Sequence, residues 1–344
     1  MQDAVVTAPY TLADALDPDW LTGALAGITG GSRITQVEAV EKFHTVATKQ
    51  RFRVEWADGS ADLCLKAFLD AEGAPSSSPT RVHEHRFYQS VASELDVRIP
   101  ECVNAIVDEK ENHGITIMRD LVADGARFGS ALESVSPDQA AKALEQLARL
   151  HAKPRILDDR PWIKRTLSEL ASWNIVSPEK LQELLDGPRG RNLQTATRDA
   201  NRLIEGLNTL AARCESLPST AVHGDAHAGN IFWTPDGPGL IDWQMIQRGH
   251  WALDVAYQVC AVLPADVAAA HEFALVDHYL DVTRGLGAEV PDRETAHDQY
   301  RAANIYGYYL WAVTTRVDRP IIEEFVDRLG KAVERNDSYA VVGM

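Results

Sequence analysis

One short stretch constrains this chain more than any other. Residues 221–243 read AVHGDAHAGNIFWTPDGPGLIDW, three strand-like pieces (Ala221–Val222, Ile231–Trp233 and Leu240–Asp242) set inside a long run of helical patterns. The turn Pro235-Asp236-Gly237 joins the last two pieces. Polar residues gather at their edges: His223, Gly224, Asp225, His227 and Asn230 form HGDxHxxN, and Asp242 follows Asn230 by twelve residues. Five fixed residues in such a pattern arise by chance in roughly one chain in ten thousand of this length. The cluster is therefore read as chemistry.

The patterns on either side differ in period. Upstream, Ile34–Glu41, Gln50–Trp56 and Asp62–Phe68 read as strands, and in the second of these Phe52, Val54 and Trp56 alternate with Arg51, Arg53 and Glu55. Asp58-Gly59 supplies the turn between the second and third. In DLCLKAF, Leu63, Leu65 and Ala67 face one way and Cys64, Lys66 and Phe68 the other. A lysine in so apolar a strand needs a partner or a task. The stretch Ala74–Pro79 reads as a surface loop that opens a helix. On that helix Glu84, Phe87, Tyr88, Val91 and Leu95 share one face, so Glu84 points inward. Val103–Val107 and Ile115–Met118 flank the turn Glu111–Gly114 and form a hairpin.

Downstream the period becomes helical. Ser136-Pro137-Asp138-Gln139 is a capping box with proline in the first turn. Further helical patterns cover about 161–173, 178–186, 193–215, 251–262, 265–286, 294–316 and 320–335. Near the N-terminus Asp17-Pro18 starts a helix to about Ala26. The fold class expected is α+β with two lobes. Residues 1–118 make a small antiparallel-sheet lobe with one main helix, and 119–344 a larger, mostly helical lobe.

Composition excludes several classes. Lys plus Arg number 34 against 50 Asp plus Glu, a net charge of −16. That surplus argues against nucleic acid or an anionic membrane as partner, and ordinary acidic solubility accounts for it. Cys64, Cys102, Cys214 and Cys260 are scattered, so neither a disulfide framework nor a zinc site is expected. The first residues lack a basic, apolar leader and no apolar run is long enough to span a bilayer, so a cytoplasmic protein is expected.

The residues in and around the island suit phosphoryl transfer. That chemistry needs a carboxylate for the attacking hydroxyl, hard oxygen ligands for Mg²⁺ and a lysine for the phosphates. Asp225 can face the acceptor, Asn230 and Asp242 a metal, and Lys66 the phosphates of ATP, with Glu84 holding Lys66 by an ion pair. A small-molecule hydroxyl is the acceptor expected.

These strings resemble the aminoglycoside phosphotransferase, choline kinase and ecdysteroid-kinase-like superfamily, relatives of the protein kinases. The resemblance spans roughly residues 30–315. It implies that HGDxHxxN is the catalytic loop with Asp225 as its carboxylate. Asn230 and Asp242 would be Mg²⁺ ligands, Ile241-Asp242-Trp243 standing where protein kinases carry D-F-G. Lys66 and Glu84 would be the phosphate lysine and its helix partner. It further implies that Met118-Arg119-Asp120-Leu121 is a hinge whose backbone meets adenine, and that Asp254 in HWALDVAY braces the catalytic loop. The stretch DWQMIQRGHWALDVAY looks closest to the ecdysteroid-kinase-like branch. One departure stands out: Phe43–Lys49 (FHTVATK) has no glycine, where protein kinases use a Gly-rich loop. Relatives often use hydroxyl residues there, which makes Thr45 and Thr48 the candidates for phosphate contact.

His223 and His227 are taken as loop-bracing, the alternatives being a proton carrier for His223 and help to the metal site for His227. Tyr300, Tyr306, Tyr308, Tyr309 and Trp311 could line an acceptor pocket or simply pack, and a pocket would suit a bulky, partly apolar alcohol. Two rival functions remain. A metal-dependent phosphoesterase would need a histidine after Asn230, where Ile231 stands. A pseudokinase or regulatory nucleotide-binding module usually lacks one of Lys66, Asp225, Asn230 and Asp242, all of which are present.

Overall fold

The computed structural model describes residues 6–44, 47–70, 78, 80–173 and 175–344. Thr45 and most of the loop expected at 74–79 lie outside the described residues. The chain divides into two compact units. Met1–Glu94, Ile99–Arg127 and Asp242–Met245 form the first, and Leu95–Arg98, Phe128–Ile241 and Ile246–Met344 the second.

The first unit is built on alternation. Its strands are β1 (Ile34–His44), β2 (Thr48–Trp56), β3 (Gly59–Ala67), β4 (Cys102–Asp108) and β5 (His113–Arg119). They form one sheet in the order β1-β2-β3-β5-β4, with every neighbouring pair antiparallel. Phe52, Val54, Leu63, Leu65, Ala67, Ile115 and Ile117 make a buried apolar layer with Leu21, Ala24 and Leu25. Each large side chain in it contributes about 1.5–3 kcal/mol, and Leu65→Ala would cost about 2–5 kcal/mol. Three short helices precede the sheet, α1 (Leu12–Ala15), α2 (Pro18–Ala24) and α3 (Ala26–Thr29); Leu21 and Ala24 belong to α2, and Leu25 lies between α2 and α3. Asp17 caps α2 as expected, accepting from the amides of Asp19 and Trp20 at 3.0 and 2.9 Å. On the opposite face of β3 lies Lys66, toward α4 (Thr80–Ser90), which buries Glu84, Phe87 and Tyr88. Two turns are tighter than the sequence suggested: Gly59 already begins β3, and His113 and Gly114 already belong to β5.

The second unit follows the short strand β6 (Arg127–Phe128) and is mainly helical: α5 (Pro137–His151), α6 (Leu167–Leu170), α7 (Pro178–Asp186), α8 (Ala200–Glu215), α9 (Ala252–Val262), α10 (Ala265–Gly285), α11 (Arg293–Val313), α12 (Arg319–Arg335) and α13 (Ser338–Val341). The capping box of α5 is formed: Ser136 Oγ accepts from Gln139 N at 3.2 Å and Gln139 Oε1 from Ser136 N at 2.9 Å. Every residue of α9 is buried, so this helix is the axis of the unit. Helix α11 lies close against it at Gly307, where a Cβ would come within 2.6 Å of Cδ2 of Tyr257.

Two expected helices are shorter. Only Leu167–Leu170 and a 3₁₀ turn at Ala171–Trp173 form within 161–173, because the carbonyl of Lys164 is committed to the amide of Arg248 at 2.9 Å. The helix expected from 193 begins at Ala200, where Asp199 Oδ1 caps the amide of Arg202 at 2.9 Å. The strand island is present as β7 (Thr220–Val222), β8 (Ile231–Thr234), β9 (Gly237–Leu240) and β10 (Gln247–Gly249). β7 pairs antiparallel with β10, and β8 with β9. Asp242 lies just beyond β9 rather than within a strand.

Candidate active site

In the first unit four charged side chains meet on one face of the sheet. Lys66 Nζ forms an ion pair with Glu84 of α4 and a second one, 2.7 Å long, with Asp242 Oδ1. Lys49 Nζ lies 3.2 Å from the other oxygen, Oδ2. The lysine and Glu84 side chains are each 5% exposed, which is tolerable only because the charges are paired. Burial by itself disfavours the Lys66 ammonium, but Asp242 and Glu84 outweigh it and raise its pKa. Burial also acts against the Asp242 carboxylate, and Lys66 and Lys49 together hold it well below the usual carboxylate range. Asp242 takes φ +67°, a conformation uncommon for a side chain larger than glycine. The ring of Trp243 stacks on Phe87 of α4 at 3.9 Å between centroids, which anchors this short segment in the first unit.

In the second unit the loop from His223 to Asn230 is braced from below. Asp254 of α9, fully buried, accepts from the amides of His223 (2.6 Å) and Gly224 (2.9 Å) and contacts His151 Nε2 at 3.1 Å. Its expected bracing role is thus visible as geometry. Gly224 takes φ +82°, and its carbonyl accepts from Tyr306 Oη at 2.6 Å. His223 Nδ1 accepts from the amide of Asp225 at 3.2 Å, so Nε2 carries the proton and donates to the carbonyl of Ile241 at 2.9 Å. With both nitrogens committed, this ring fixes the loop.

The Asp225 carboxylate is held at both oxygens. Oδ1 accepts from Tyr257 Oη at 3.1 Å and Oδ2 from Asn230 Nδ2 at 3.1 Å. Asn230 Nδ2 also donates to the Asp225 carbonyl at 2.9 Å. Two acceptors facing one end of the amide require nitrogen there, which turns the amide oxygen elsewhere. His227 Nδ1 accepts from the amide of Gly229 at 3.0 Å, and Nε2 lies 3.6 Å from Asp225 Oδ2. The His227 ring rests against Trp311 and Phe325. The loop is tied forward as well, since Ile241, the residue before Asp242, donates its amide to the Asn230 carbonyl at 3.0 Å.

Several expected site residues stand elsewhere. Thr48 shares the sheet face of Phe52 and Val54 by the period-two pleat, and it is buried. Its hydroxyl therefore lies on the side opposite Lys66. The side chain on the Lys66 face is the next one, Lys49. At the expected hinge, Met118 pairs with Cys64 and Cys102 inside the sheet. Both backbone groups of Asp120 are used within the protein, its amide on Asp62 O (3.1 Å) and its carbonyl by Asp124 N (3.1 Å). Its carboxylate receives Arg51 Nε at 2.8 Å and the amide of Val122 at 3.0 Å. The Leu121 carbonyl accepts from Ala126 N at 2.8 Å. The aromatic run of α11 is core, with Tyr300, Tyr306, Tyr308, Tyr309 and Trp311 all buried, and two of its members meet the loop, Tyr306 at the Gly224 carbonyl and Trp311 at the His227 ring.

Sequence reasoning missed Lys49 and Tyr257. Lys49 was legible from strand parity, because it lies directly opposite Lys66 across β2 and β3. Tyr257 sits one helical turn after Asp254, a spacing that brings the two to neighbouring faces. The aromatic run marks Trp311, but nothing in the sequence pairs its Nε1 with Tyr257 Oη, to which it donates at 2.6 Å.

Comparison with known proteins agrees with this architecture. Residues 40–288 match the model of the phosphotransferase enzyme family (APH). No curated protein sequence matches the chain. Among solved structures, choline kinase from Cryptosporidium parvum aligns with TM-score 0.58 at 14% identity, over 93% of this chain and 96% of its own. A choline/ethanolamine kinase family protein from Mesorhizobium loti aligns with TM-score 0.54 at 18% identity, over 94% and 98%. Plasmodium vivax ethanolamine kinase aligns with TM-score 0.51 at 13% identity, over 92% and 86%. These likenesses concern the fold, a sheet-bearing N-terminal unit followed by a helical one, and they do not single out the ecdysteroid-kinase-like branch. The family match runs from β1 through α10 and includes Lys66, Glu84, Asp225, Asn230, Asp242 and Asp254, and on that ground the chain belongs to the phosphotransferase enzyme family.

Proposed function

We propose that the protein is a small-molecule kinase that moves the γ-phosphoryl group of ATP onto a hydroxyl, with Asp225 as the catalytic carboxylate. The observation that carries this reading is the setting of Asp225, whose two oxygens are held by Tyr257 and Asn230 in a loop braced by Asp254. A carboxylate aimed in this way orients a hydroxyl and receives its proton as the new bond to phosphorus forms. The oxygen of the acceptor bonds to Pγ, the bond from Pγ to the β–γ bridging oxygen breaks, and ADP leaves with that electron pair. Lys66, kept charged by Glu84 and Asp242, binds phosphate oxygens.

The donor chemistry fits Mg²⁺. Asn230 offers an amide oxygen, and Asp242 a carboxylate at which two ammonium groups already stand where a cation would. Asn230 and Asp242 are the residues assigned to hold it. When bound, the ion neutralises charge on the phosphates. The segment 118–121 is assigned to adenine, with both Asp120 backbone groups and the Leu121 carbonyl already engaged within the protein.

A phosphoesterase is less well supported. Ile231 occupies the position where that class needs histidine, and it is buried in β8. Among the described residues no group of three or more His, Cys, Asp or Glu side chains is arranged to hold a metal.

The test is transfer of labelled γ-phosphate from Mg·ATP to pools of aminoglycosides, amino alcohols, sugars, sterols and hydroxyacyl thioesters, with Asp225→Asn as control. A labelled product in one pool, absent with Asp225→Asn, is the expected result and names the acceptor class. Retained turnover in Asp225→Asn would remove that residue from the central role. Asp242→Ala should also weaken metal-dependent nucleotide binding, and Asp225→Asn should do so much less.

A further inference from the structure

Lys49 and Lys66 are direct partners across β2 and β3, so both side chains rise from the same face of the sheet. Like charges directly opposite each other destabilise a sheet. Here the repulsion is answered by one carboxylate, with Asp242 giving Oδ1 to Lys66 and Oδ2 to Lys49. The two lysines differ in how firmly they are held. Lys66 touches two carboxylates and its side chain is 5% exposed, whereas the Lys49 side chain is 25% exposed and its ion pair is the longer, at 3.2 Å.

We infer that Lys49 is a second phosphate-binding cation, parked on Asp242 while the nucleotide site is empty and transferred to the polyphosphate when nucleotide arrives. The inference rests on the nucleotide reading above and deepens it. A cation that approaches Asp242 must take one of its oxygens from an ammonium. Taking Oδ1 would strip a partner from the buried Lys66, while taking Oδ2 releases a lysine that can turn to solvent on its flexible stem. The same step leaves Lys49 beside Lys66, facing the phosphates that arrive with the metal. Lys49 thereby supplies in side-chain charge what FHTVATK lacks in glycines: without them, fewer backbone amides can approach the phosphates closely. The strand pleat excludes Thr48 from this role, since its hydroxyl lies on the other face.

The parked arrangement has two consequences of opposite sign, which a plain ion pair would not have. Removing the Lys49 charge should weaken nucleotide binding and strengthen metal binding to the nucleotide-free protein. Both are measured on the full chain, with Lys49→Met and Lys49→Arg beside the wild type. Calorimetric titration with ADP in EDTA reads the first, and electron paramagnetic resonance of free Mn²⁺ without nucleotide reads the second. The expected result for Lys49→Met is about tenfold weaker ADP binding, the size of one lost charge-assisted contact, and tighter Mn²⁺ binding. Lys49→Arg should restore most of the ADP affinity. ADP binding by Lys49→Met within twofold of wild type would overturn the phosphate role, and unchanged or weaker Mn²⁺ binding would overturn the parked state. If the wild type itself bound no adenine nucleotide with or without Mg²⁺, the kinase reading would fall and this inference with it. Normal wild-type binding with an indifferent Lys49→Met overturns only this inference.

Discussion

The hydroxyl of Tyr257 donates to Asp225 Oδ1 at 3.1 Å while accepting from Nε1 of Trp311 at 2.6 Å. Three residues from the loop, α9 and α11 thus form one directed chain that ends on the carboxylate. With Asp225 as the proposed catalytic carboxylate, Tyr257 acts through it as a positioning residue. Tyr257→Phe removes one donor and leaves the ring's packing in place. A hydrogen bond to a charged group is worth about 1.5–3 kcal/mol, so kcat should fall at least about tenfold with little change in KM for nucleotide. Steady-state kinetics check this, and equal losses in kcat and nucleotide binding would point to a general structural role instead.

Gly307 allows α11 to come within reach of that tyrosine. An alanine Cβ there would stand 2.6 Å from Cδ2 of the Tyr257 ring, in a wall of buried side chains. Helix propensity alone would favour Gly307→Ala by about 1 kcal/mol. Overpacking a core costs about 1–3 kcal/mol, and the steric effect should win. Urea denaturation is expected to show net destabilisation, together with lower kcat. A variant as stable as wild type would mean that α11 can shift freely.

Asp254 accepts from two loop amides and contacts His151 while fully buried. Asp254→Asn places an amide group where acceptors are needed and leaves at least one buried donor unpaired. Breaking a buried charged network of this kind costs about 3–5 kcal/mol. A drop of that order in unfolding free energy, with loss of turnover, is expected. Wild-type stability would show that the loop holds its shape by other means.

Two buried histidines should govern stability on the acid side. Burial is the main cause that lowers both His85 and His250 from 6.5 to about 3. In the unfolded chain each binds a proton near its ordinary pKa, which the folded protein refuses. Folded stability is therefore complete above pH 6.5 and is lost as pH falls toward about 3. Each residue contributes a slope of up to about 1.4 kcal/mol per pH unit. Urea midpoints measured from pH 6.5 down to about 4.5, above the range where most carboxylates titrate, should decline. His85→Gln and His250→Gln should each flatten the decline, and a flat wild-type profile would contradict it.

Much of this protein is written in local pattern. Alternation in Arg51–Trp56 and Leu63–Ala67 determined which faces of β2 and β3 are apolar, and Ser136, Pro137 and Gln139 determined where α5 begins. The HGDxHxxN string and Asp242 determined which residues to look for, because a carboxylate, an amide and a second carboxylate at that spacing suit phosphoryl transfer. Neighbouring positions in one strand or one helical turn depend on bonds a few residues long, so a sequence can carry them.

Tertiary structure decided what depends on elements far apart in the chain. It placed Lys49 on Asp242, 193 residues away. It turned the aromatic run of α11 inward, so that Trp311 reaches Tyr257 and Tyr306 reaches Gly224. It also cut short the helix expected at 161–173, because the Lys164 carbonyl found the amide of Arg248. The physical reason is common to all three. A charge, an indole N–H or a carbonyl must be satisfied once it is buried, and which partner satisfies it is set by packing between elements that periodicity cannot register.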